Sequence, residues 1–296
     1  MDLAPVGLWT SALRSLDAPR LADIAAELDS LGYGAIWFPG GPAESGFDHA
    51  EALLAGSTRL VVATGIISIW TVDADTAAAR SRAIHGAHPD RFLLGLGVSH
   101  PEFVNRAAPD RYQRPLTAMT AFLDALDDLD SGAEGPERRV LAALGPGMLR
   151  LSAQRAAGAH PYFVPVEHTA AAREALGPGP LLAPEQAVVL ETDPRLAREA
   201  ARAYMSIYLR LENYVGNLRR LGYTERDISE PTDRLVDAIV AWGDEDVIAG
   251  RVRQHLDAGA DHVCVQVIGR NDDERRSVPA DTWRRIAPAL LSTRPR

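Results

Sequence analysis

The chain has 296 residues, of which 46% are hydrophobic, and this length and composition suit one large folded core. The formal net charge of -9 argues against a nucleic-acid partner, because binding to a phosphate backbone depends on clustered cationic side chains. The sequence contains no Lys, which excludes Schiff-base chemistry and the phosphate-binding loops that require a lysine.

The sequence has no stretch of about 18 uncharged apolar residues that would predict a membrane span. Its first residues, MDLAPVGLWT, lack the basic region and apolar run of a secretion signal. We therefore expect no membrane partner and a cytoplasmic location. Cys264 is the single cysteine, and its apolar surroundings, HVCVQV, favour a buried structural thiol over a nucleophile.

Short apolar runs alternate with segments in which apolar residues recur three and four apart, the pattern of amphipathic helices. The predicted strands are residues 6–10 (VGLWT), 35–38 (AIWF), 60–66 (LVVATGI), 92–98 (FLLGLGV), 140–144 (VLAAL), 161–164 (PYFV), 187–191 (AVVLE) and 262–267 (HVCVQV). Eight strands separated by helices predict an α/β fold, a single (β/α)8 TIM barrel domain over residues 1–296. A doubly wound sheet is the alternative.

Two connections differ from the short ones elsewhere. The segment from about residue 192 to 260, between the seventh and eighth predicted strands, holds at least three helical patterns. We expect it to be a helical insertion on the substrate side of the barrel. Residues 130–139 (DSGAEGPERR) are expected to form a solvated loop.

The C-terminal ends of barrel strands carry the chemistry of this fold, and here they are rich in glycine and aromatic residues. They show no converging carboxylates and no His-x-His pattern, so we predict no metal site. The aromatic side chains favour an apolar small-molecule substrate, although aromatic residues also simply fill barrels. The predicted substrate-pocket residues are Trp9, Thr10, Trp37, Trp70 and Phe163.

Three strand ends carry glycines that raise the question of what comes close to them. Gly65 ends the apolar run in RLVVATGIISIW, where glycine indicates close approach of a ligand or of another backbone. Gly95 and Gly97 in RFLLGLGVSH face the same side of their strand, leaving room for a flat ring or only helping the barrel to close. In AALGPGMLRLSAQRAAGAH, residues 142–160, a strand runs through Gly-Pro-Gly into a helix. The free N–H groups of that helix predict a phosphate site, with a ligand-free connection as the alternative.

Several stretches together resemble the bacterial luciferase-like family of flavin- and deazaflavin F420-dependent oxidoreductases, in its actinobacterial F420 branch. They include LGYGAIWF, RLVVATGIISIWTVDA, AHPDRFLLGLGVSHPEFV, LAALGPGMLRLSAQRAAGAHPYFVPVEHT and DRLVDAIVAWGDEDVIAGRVRQHLDAGADHVCVQV. The resemblance implies coenzyme F420, with FMN as the alternative, and a homodimer with early helices at the interface.

The resemblance also implies where the cofactor binds. It places a cis peptide between Gly65 and Ile66, which presses against the back of the deazaflavin ring and explains the glycine. The implied cofactor-binding residues are Gly65 and Ile66, then Gly97, Val98 and Ser99 beside the ring, and Leu144, Gly145, Pro146, Gly147 and Met148 at the phosphate end.

The sequence departs from the family pattern at its acid–base residues. Relatives that oxidise sugar phosphates carry an Asp-His pair after the second strand, where this chain has Gly40 and Gly41. His100 stands where those relatives have a carboxylate, and its reference pKa of about 6.5 suits proton transfer, so it is the predicted catalytic residue; capping of the following loop is the alternative. Tyr112 and Glu44 are weaker candidates. His160, which precedes a predicted strand, is weaker as well.

Three functions follow from these observations. The first is an F420-dependent oxidoreductase that transfers a hydride between the cofactor and a small, apolar organic substrate. The second is an FMN-dependent monooxygenase that uses reduced flavin and dioxygen on the same barrel. The third is a non-catalytic flavin-binding relative, which the loss of the Asp-His pair supports.

Overall fold

The computed structural model describes residues 3–129 and 138–293. Its strands are β1 (Val6–Trp9), β2 (Ala35–Phe38), β3 (Val61–Thr64), β4 (Ile67–Ser68), β5 (Phe92–Gly97), β6 (Arg139–Leu141), β7 (Gly158–Ala159), β8 (Leu181–Leu182), β9 (Glu185–Leu190), β10 (Val240–Gly243) and β11 (Val263–Val267). Its α-helices are α1 (Ala18–Leu31), α2 (Ser45–Ala55), α3 (Ala74–Ala87), α4 (Pro101–Ala107), α5 (Pro115–Leu129), α6 (Pro146–Arg155), α7 (Val166–Leu176), α8 (Pro194–Tyr208), α9 (Glu212–Arg220), α10 (Glu225–Ser229), α11 (Asp233–Ile239), α12 (Glu245–Asp257), α13 (Asp272–Arg276) and α14 (Ala280–Leu291).

The ends of α1 show how local sequence sets the helix boundaries. The Asp17 side chain accepts a hydrogen bond from the backbone N–H of Arg20, and a proline lies in the first turn. The helix ends at Gly32, whose φ of 92° is in the left-handed region that favours glycine. Leu28 on the inner face is fully buried against the sheet, so the helix packs outside the strands.

All strand pairs are parallel, and neighbouring strands follow the order β9, β11, β1, β2, β3, β5, β6, β7, β8, with β10 beside β9. Only Ala183 and Pro184 separate β8 from β9. The N–H of Ala183 donates to the carbonyl of Ala159 at 2.9 Å, and the N–H of Cys264 donates to the carbonyl of Pro184 at 2.9 Å. This segment therefore forms backbone hydrogen bonds to β7 on one side and to β11 on the other, and so closes the sheet. The predicted α/β TIM barrel is confirmed.

The sixth strand was predicted in the wrong place. The prediction was residues 161–164, but the strand is β7, Gly158–Ala159, which pairs with β6 and β8. A Cβ on Gly158 would lie 1.9 Å from the carbonyl oxygen of Leu181, so the two strands approach too closely for a side chain there. The correction moves His160 from the start of a strand to its C-terminal end.

The segment between β9 and β11 is helical over most of its length, as expected, and contains α8 to α12. It also contains β10, which was not predicted and which pairs Val240 with Ala187. Of the expected loop over residues 130–139, all but the last two residues lie outside the described part. Within residues 3–129 and 138–293, no helix has the length and apolar character needed to span a membrane.

The core has an outer and an inner part. The larger apolar cluster fills the space between the barrel and its helices and includes Phe47, Phe92 and Trp283. A smaller cluster inside the barrel includes Trp37 and Cys264, both fully buried. The inner cluster closes one end of the barrel, and the cavity described next lies at the C-terminal ends of the strands.

Candidate functional site

A cavity of about 690 Å³ opens at the C-terminal ends of the barrel strands. The strands and the loops after them contribute Trp9, Arg14, Pro39, Gly65, Ile66, Val98, Ser99, His100, Ala142, Ala143, Leu144, Gly145, Gly147, Met148, His160 and Tyr162 to its lining. The helices α4, α5, α8 and α9 and their flanking residues contribute Phe103, Tyr112, Pro115, Leu116, Tyr208, Glu212, Asn213, Tyr214, Gly216 and Arg220. The volume is in the range of sites for small molecules and cofactors.

The third strand is interrupted at the edge of this cavity. The Gly65–Ile66 peptide is cis, as the resemblance implies, and it separates β3 from β4. The Thr64 hydroxyl donates to the Gly95 carbonyl at 3.0 Å and accepts from the Gly95 N–H at 2.8 Å, which replaces the ladder where β3 ends. The chain returns to the sheet at Ile67, which pairs with Leu96.

The interruption also explains the glycines of β5. A Cβ on Gly95 would lie 1.8 Å from the Thr64 carbonyl oxygen, and one on Gly97 would lie 2.6 Å from the Ile66 side chain. The interpretation that both glycines leave room for a ring is therefore wrong, because the neighbouring strand fills that room. Gly97 does not line the cavity; Val98 and Ser99 do.

The glycines that replace the Asp-His pair have a structural role here. The Gly40 N–H donates to the Ile66 carbonyl at 3.1 Å. A Cβ on Gly40 would lie 2.6 Å from the Ile67 side chain, and Gly41 has a φ of 68°. A side chain at position 40 would therefore collide with Ile67, in the segment after the cis peptide. The loop after β2 supplies only Pro39 to the cavity lining.

Trp9 and His160 converge beside Gly65. A Cβ on Gly65 would lie 2.6 Å from Trp9 Nε1 and 3.1 Å from His160 Nε2. Both side chains are buried, at 5% and 1% exposure, and both line the cavity. Neither nitrogen has a hydrogen-bond partner among the residues described. His160, a weaker candidate in the sequence, thus lies in the site.

The surroundings of His160 fix its orientation and its charge. The ring stacks on Trp37 with centroids 4.4 Å apart. Its Nδ1 lies 2.7 Å from the Ala183 carbonyl oxygen, which can only accept, so Nδ1 carries the proton and Nε2 is an acceptor. Burial lowers the pKa of His160 to about 4. The residue is therefore neutral at pH 7.

The first turn of α6 forms another wall of the cavity. Leu144, Gly145, Gly147 and Met148 line it, and Pro146 is the first helical residue behind them. The nearest atom to a Cβ on Gly145 would be Arg220 Nη2 at 3.7 Å. Backbone N–H groups and a guanidinium thus face the same region, which is an arrangement that binds anions.

His100, the predicted catalytic residue, lines the cavity at the N-cap of α4. Its Nδ1 lies 3.4 Å from Asn213 Nδ2, which also lies 3.3 Å from the Tyr112 hydroxyl. The same amide nitrogen donates to the Ser99 carbonyl at 3.2 Å. Burial lowers the pKa of His100, and the ring packs 4.8 Å from Tyr214. Tyr112 also lines the cavity.

A group of tyrosines surrounds a buried carboxyl next to the cavity. The Tyr162 hydroxyl donates to Gln266 Oε1 at 2.8 Å and shares a hydrogen bond of 2.8 Å with Tyr208. The Tyr204 hydroxyl donates to that of Tyr162 at 3.3 Å. Burial raises the pKa of Glu185 to about 8, so its carboxyl is protonated at neutral pH. No local sequence pattern indicates this network, because its members are far apart in the chain.

Several predicted residues do not line the cavity. Trp37 is fully buried, and its Nε1 donates to His262 Nε2 at 3.1 Å. Phe163 is 1% exposed and packs against the tyrosines, with its ring centroid 4.9 Å from that of Tyr208. Both residues support the lining from behind. The prediction that Trp37 and Phe163 line the pocket was wrong, because a position at the end of a strand does not show whether its side chain points into the barrel core.

Thr10, Trp70 and Glu44 also lie outside the lining. The Thr10 hydroxyl accepts from the Ala12 N–H, which fixes the turn after β1. Trp70 Nε1 donates to the Val98 carbonyl at 2.7 Å. Glu44 pairs with Arg80 at 2.6 Å and is half exposed, so the catalytic role considered for it is not supported by its position. Among the described residues, no cluster of potential metal ligands is found.

Comparison with known proteins gives a family and a fold. The family model of luciferase-like monooxygenases matches residues 3–262. An F420-dependent secondary alcohol dehydrogenase in complex with an F420-acetone adduct has a similar structure, with a TM-score of 0.74 at 11% identity, over 98% of this chain and 99% of that chain. Coenzyme F420-dependent tetrahydromethanopterin reductase from Methanopyrus kandleri gives 0.70 at 13% identity, over 98% of both chains.

An FMN-containing structure is about as similar. The oxygenating constituent of 3,6-diketocamphane monooxygenase from Pseudomonas putida, in complex with FMN, gives a TM-score of 0.69 at 13% identity, over 97% of this chain and 98% of that chain. No curated protein matches the chain by sequence. At these identities the structures establish a shared fold.

Proposed function

The chain belongs to the luciferase-like monooxygenase family, and from this we propose that it is an oxidoreductase that uses coenzyme F420 to transfer a hydride to or from a small, apolar organic molecule. Members of this family are oxidoreductases and monooxygenases. One observation carries the proposal: a single cavity of about 690 Å³ has the first turn of α6, with Arg220 near it, in one wall and the Gly65–Ile66 segment in another.

The residues present fit such a cofactor at both ends. The backbone N–H groups of Gly145, Gly147 and Met148, at the start of α6, would bind its phosphate together with Arg220. The Gly65–Ile66 segment lines the cavity where the ring would pack. Val98 and Ser99 would border the ring. When bound, the deazaflavin supplies the hydride chemistry.

The chain's own residues orient the reactants and exclude water. Phe103, Tyr214 and Leu116 supply apolar lining for a substrate. His100, which Asn213 contacts at Nδ1, is the proposed proton carrier. Its lowered pKa keeps the ring neutral at pH 7, and a neutral imidazole has one nitrogen that donates and one that accepts a proton.

FMN is the second candidate cofactor, because the shared fold includes an FMN-binding structure at a TM-score of 0.69. What supports F420 is the resemblance of the sequence motifs to the F420 branch of the family. The two functions differ in their need for dioxygen, since a hydride transfer between F420 and an organic molecule does not consume it.

Turnover with and without dioxygen tests the proposal. The protein is assayed with oxidised or reduced F420, and with reduced FMN, against a panel of small alcohols and ketones. We expect turnover with F420 that is the same in air and under nitrogen. Turnover that requires both reduced FMN and dioxygen would instead establish a monooxygenase.

We also propose that the protein works in the cytoplasm as a homodimer with early helices at its interface, as the resemblance implies. Light scattering coupled to gel filtration measures the assembly. We expect twice the chain mass of 31.9 kDa; a mass equal to one chain would overturn this part of the proposal.

A further inference from the structure

Two buried nitrogens in the cavity form a pair with opposite hydrogen-bonding character. Trp9 Nε1 always carries a hydrogen and donates. His160 Nε2 accepts, because Nδ1 uses its hydrogen toward the Ala183 carbonyl. Both nitrogens lie within 3.1 Å of the position that a Cβ on Gly65 would take. Both side chains are at least nine-tenths buried. Neither has a partner within the described residues.

A buried polar atom without a hydrogen bond destabilises the folded protein. Two such atoms side by side at a cavity wall indicate a place where a ligand group supplies both bonds. The Ala183 contact and the stacking of the ring on Trp37 hold His160 in place, so the acceptor is fixed before a ligand arrives.

We infer that Trp9 and His160 form a subsite that binds a neutral hydroxyl group of the substrate, which donates to His160 Nε2 and accepts from Trp9 Nε1. The inference rests on the proposed function in taking this cavity as the substrate site. It goes further by naming the class of substrate, an alcohol with an apolar body.

The donor–acceptor pair selects against charged groups. A carboxylate has only acceptors and would set an oxygen lone pair against the lone pair of His160 Nε2. An ammonium has only donors and would set a hydrogen against that of Trp9 Nε1. Burial lowers the pKa of His160, as does the neighbouring His262, while the Ala183 carbonyl acts in the opposite direction. The ring therefore stays a neutral acceptor at pH 7.

A comparison of small probes on the cofactor-free, full-length protein tests the inference. The five tryptophan indole N–H groups each give one resonance in the ¹⁵N-labelled protein, and Trp9→Phe assigns that of Trp9. The probes are benzyl alcohol and toluene, which differ by the hydroxyl, together with benzoate for an anion and uracil for an imide. Trp242 and Trp283 do not line the cavity and serve as internal references.

We expect benzyl alcohol to shift the Trp9 resonance and to bind about tenfold more tightly than toluene, which corresponds to about one net hydrogen bond. His160→Leu should abolish this advantage, whereas His160→Gln, which keeps an acceptor, should retain part of it. Unchanged Trp242 and Trp283 resonances show that each variant is folded.

The other outcomes overturn the inference. Equal affinity for benzyl alcohol and toluene, or no shift of Trp9 by benzyl alcohol, means that the pair does not bind a hydroxyl. Tighter binding of benzoate identifies an anion site, and a shift by uracil alone assigns the pair to an imide edge such as that of a flavin ring. Because no cofactor is present, these results are independent of whether the protein uses F420.

Discussion

Burial sets the protonation state of the histidines that line the cavity. Desolvation lowers the pKa of His100 and lowers that of His160 to about 4, so both rings are neutral at pH 7. Their contacts differ, because Asn213 faces Nδ1 of His100 while a backbone carbonyl faces Nδ1 of His160. The contact with the carbonyl makes the free nitrogen of His160 an acceptor.

Replacing His100 tests its role as the proton carrier. We expect His100→Ala to lower turnover by about 10² to 10⁴ and to leave cofactor affinity nearly unchanged, since a general acid–base contributes to the chemical step. The wild-type pH–rate profile should show a limb below 6.5, the ordinary histidine pKa, because burial lowers the pKa of His100. The variant should lack this limb.

His49→Ala is the matched control, because His49 is partly buried but lies outside the cavity lining, with Nδ1 against the Ser45 carbonyl. It should have normal turnover. Near-normal turnover of His100→Ala with the true substrate would show that the proton comes from another group, with Tyr112 next.

The absence of a side chain at Gly65 is important for the site, because Trp9 and His160 lie close to this residue. We expect Gly65→Val to abolish cofactor binding, because a side chain there would lie 2.6 Å from Trp9 Nε1 and would have to displace the indole into the cavity. Circular dichroism should show a folded barrel, and a titration with F420 should show no binding. A valine variant with wild-type affinity would mean that the ring does not approach this segment.

Sequence patterns identified His100 and Gly65 as residues of the site but undervalued His160. The residues PYFV have high β-propensity and drew the predicted sixth strand to 161–164, whereas the true strand is the weakly apolar pair Gly158–Ala159. A strand of two small residues gives almost no periodic signal. The position of His160 in the cavity lining became visible only with the correct strand end.

At the scale of elements, the start of α6 is the feature with the most specific chemistry. Gly-Pro-Gly before an amphipathic helix predicted an anion site, and the structure places this turn in the cavity wall near Arg220. The contribution of the arginine could not be predicted, because it comes from α9, more than 60 residues later in the chain.

We expect Gly147→Asp to weaken cofactor affinity by about 1 to 2 kcal/mol, since it sets a negative charge against the phosphate and the helix terminus. Gly147→Asn is the matched control, which has nearly the same shape without the charge. A Cβ at this position would contact only Leu116, at 3.4 Å, so neither variant should disturb packing. Equal dissociation constants for the two variants would place the phosphate elsewhere.

Strand prediction succeeded where both faces of the strand are buried. All four residues of β2 are buried, and the run AIWF predicted its bounds, Ala35–Phe38, because a strand of a parallel barrel reads as continuous apolar sequence. β10 was missed since the run before Gly243 follows directly on α11 and fits a helix equally well. Its pairing with β9 is a tertiary contact that no local pattern shows.

At the scale of the whole molecule, buried ionisable groups set the dependence of stability on pH. The pKa values of His160 and His262 are lowered to about 4 and that of His255 to about 3, in each case first by burial. As the pH falls below 6.5 the unfolded chain takes up protons that the folded protein does not, so the free energy of unfolding falls.

Glu185 acts in the opposite direction, because burial raises its pKa from 4.5 to about 8. The unfolded chain releases this proton above pH 4.5 while the folded protein keeps it, so the free energy of unfolding falls as the pH rises toward 8. Between pH 4.5 and 6.5 the three histidines outweigh the one carboxyl. We therefore expect maximum stability near pH 6.5, measured by urea unfolding across the pH range.

The variant Glu185→Gln removes the contribution of this carboxyl to the pH dependence of stability. It should remove the decline in stability between pH 6.5 and 8, which amounts to about 1.4 kcal/mol per pH unit at most, while leaving the decline below 6.5. A wild-type profile that rises steadily up to pH 8 would mean that Glu185 is ionised in the folded protein.

Family membership and the closed barrel do not select the cofactor, because F420- and FMN-binding structures share this fold. The most direct test of the central claim is a fluorescence titration of the purified protein with F420 and, separately, with FMN. We predict saturable binding of F420, at least tenfold tighter than that of FMN and weakened by Gly147→Asp. Binding of FMN with the higher affinity, or binding of neither, would contradict the assignment.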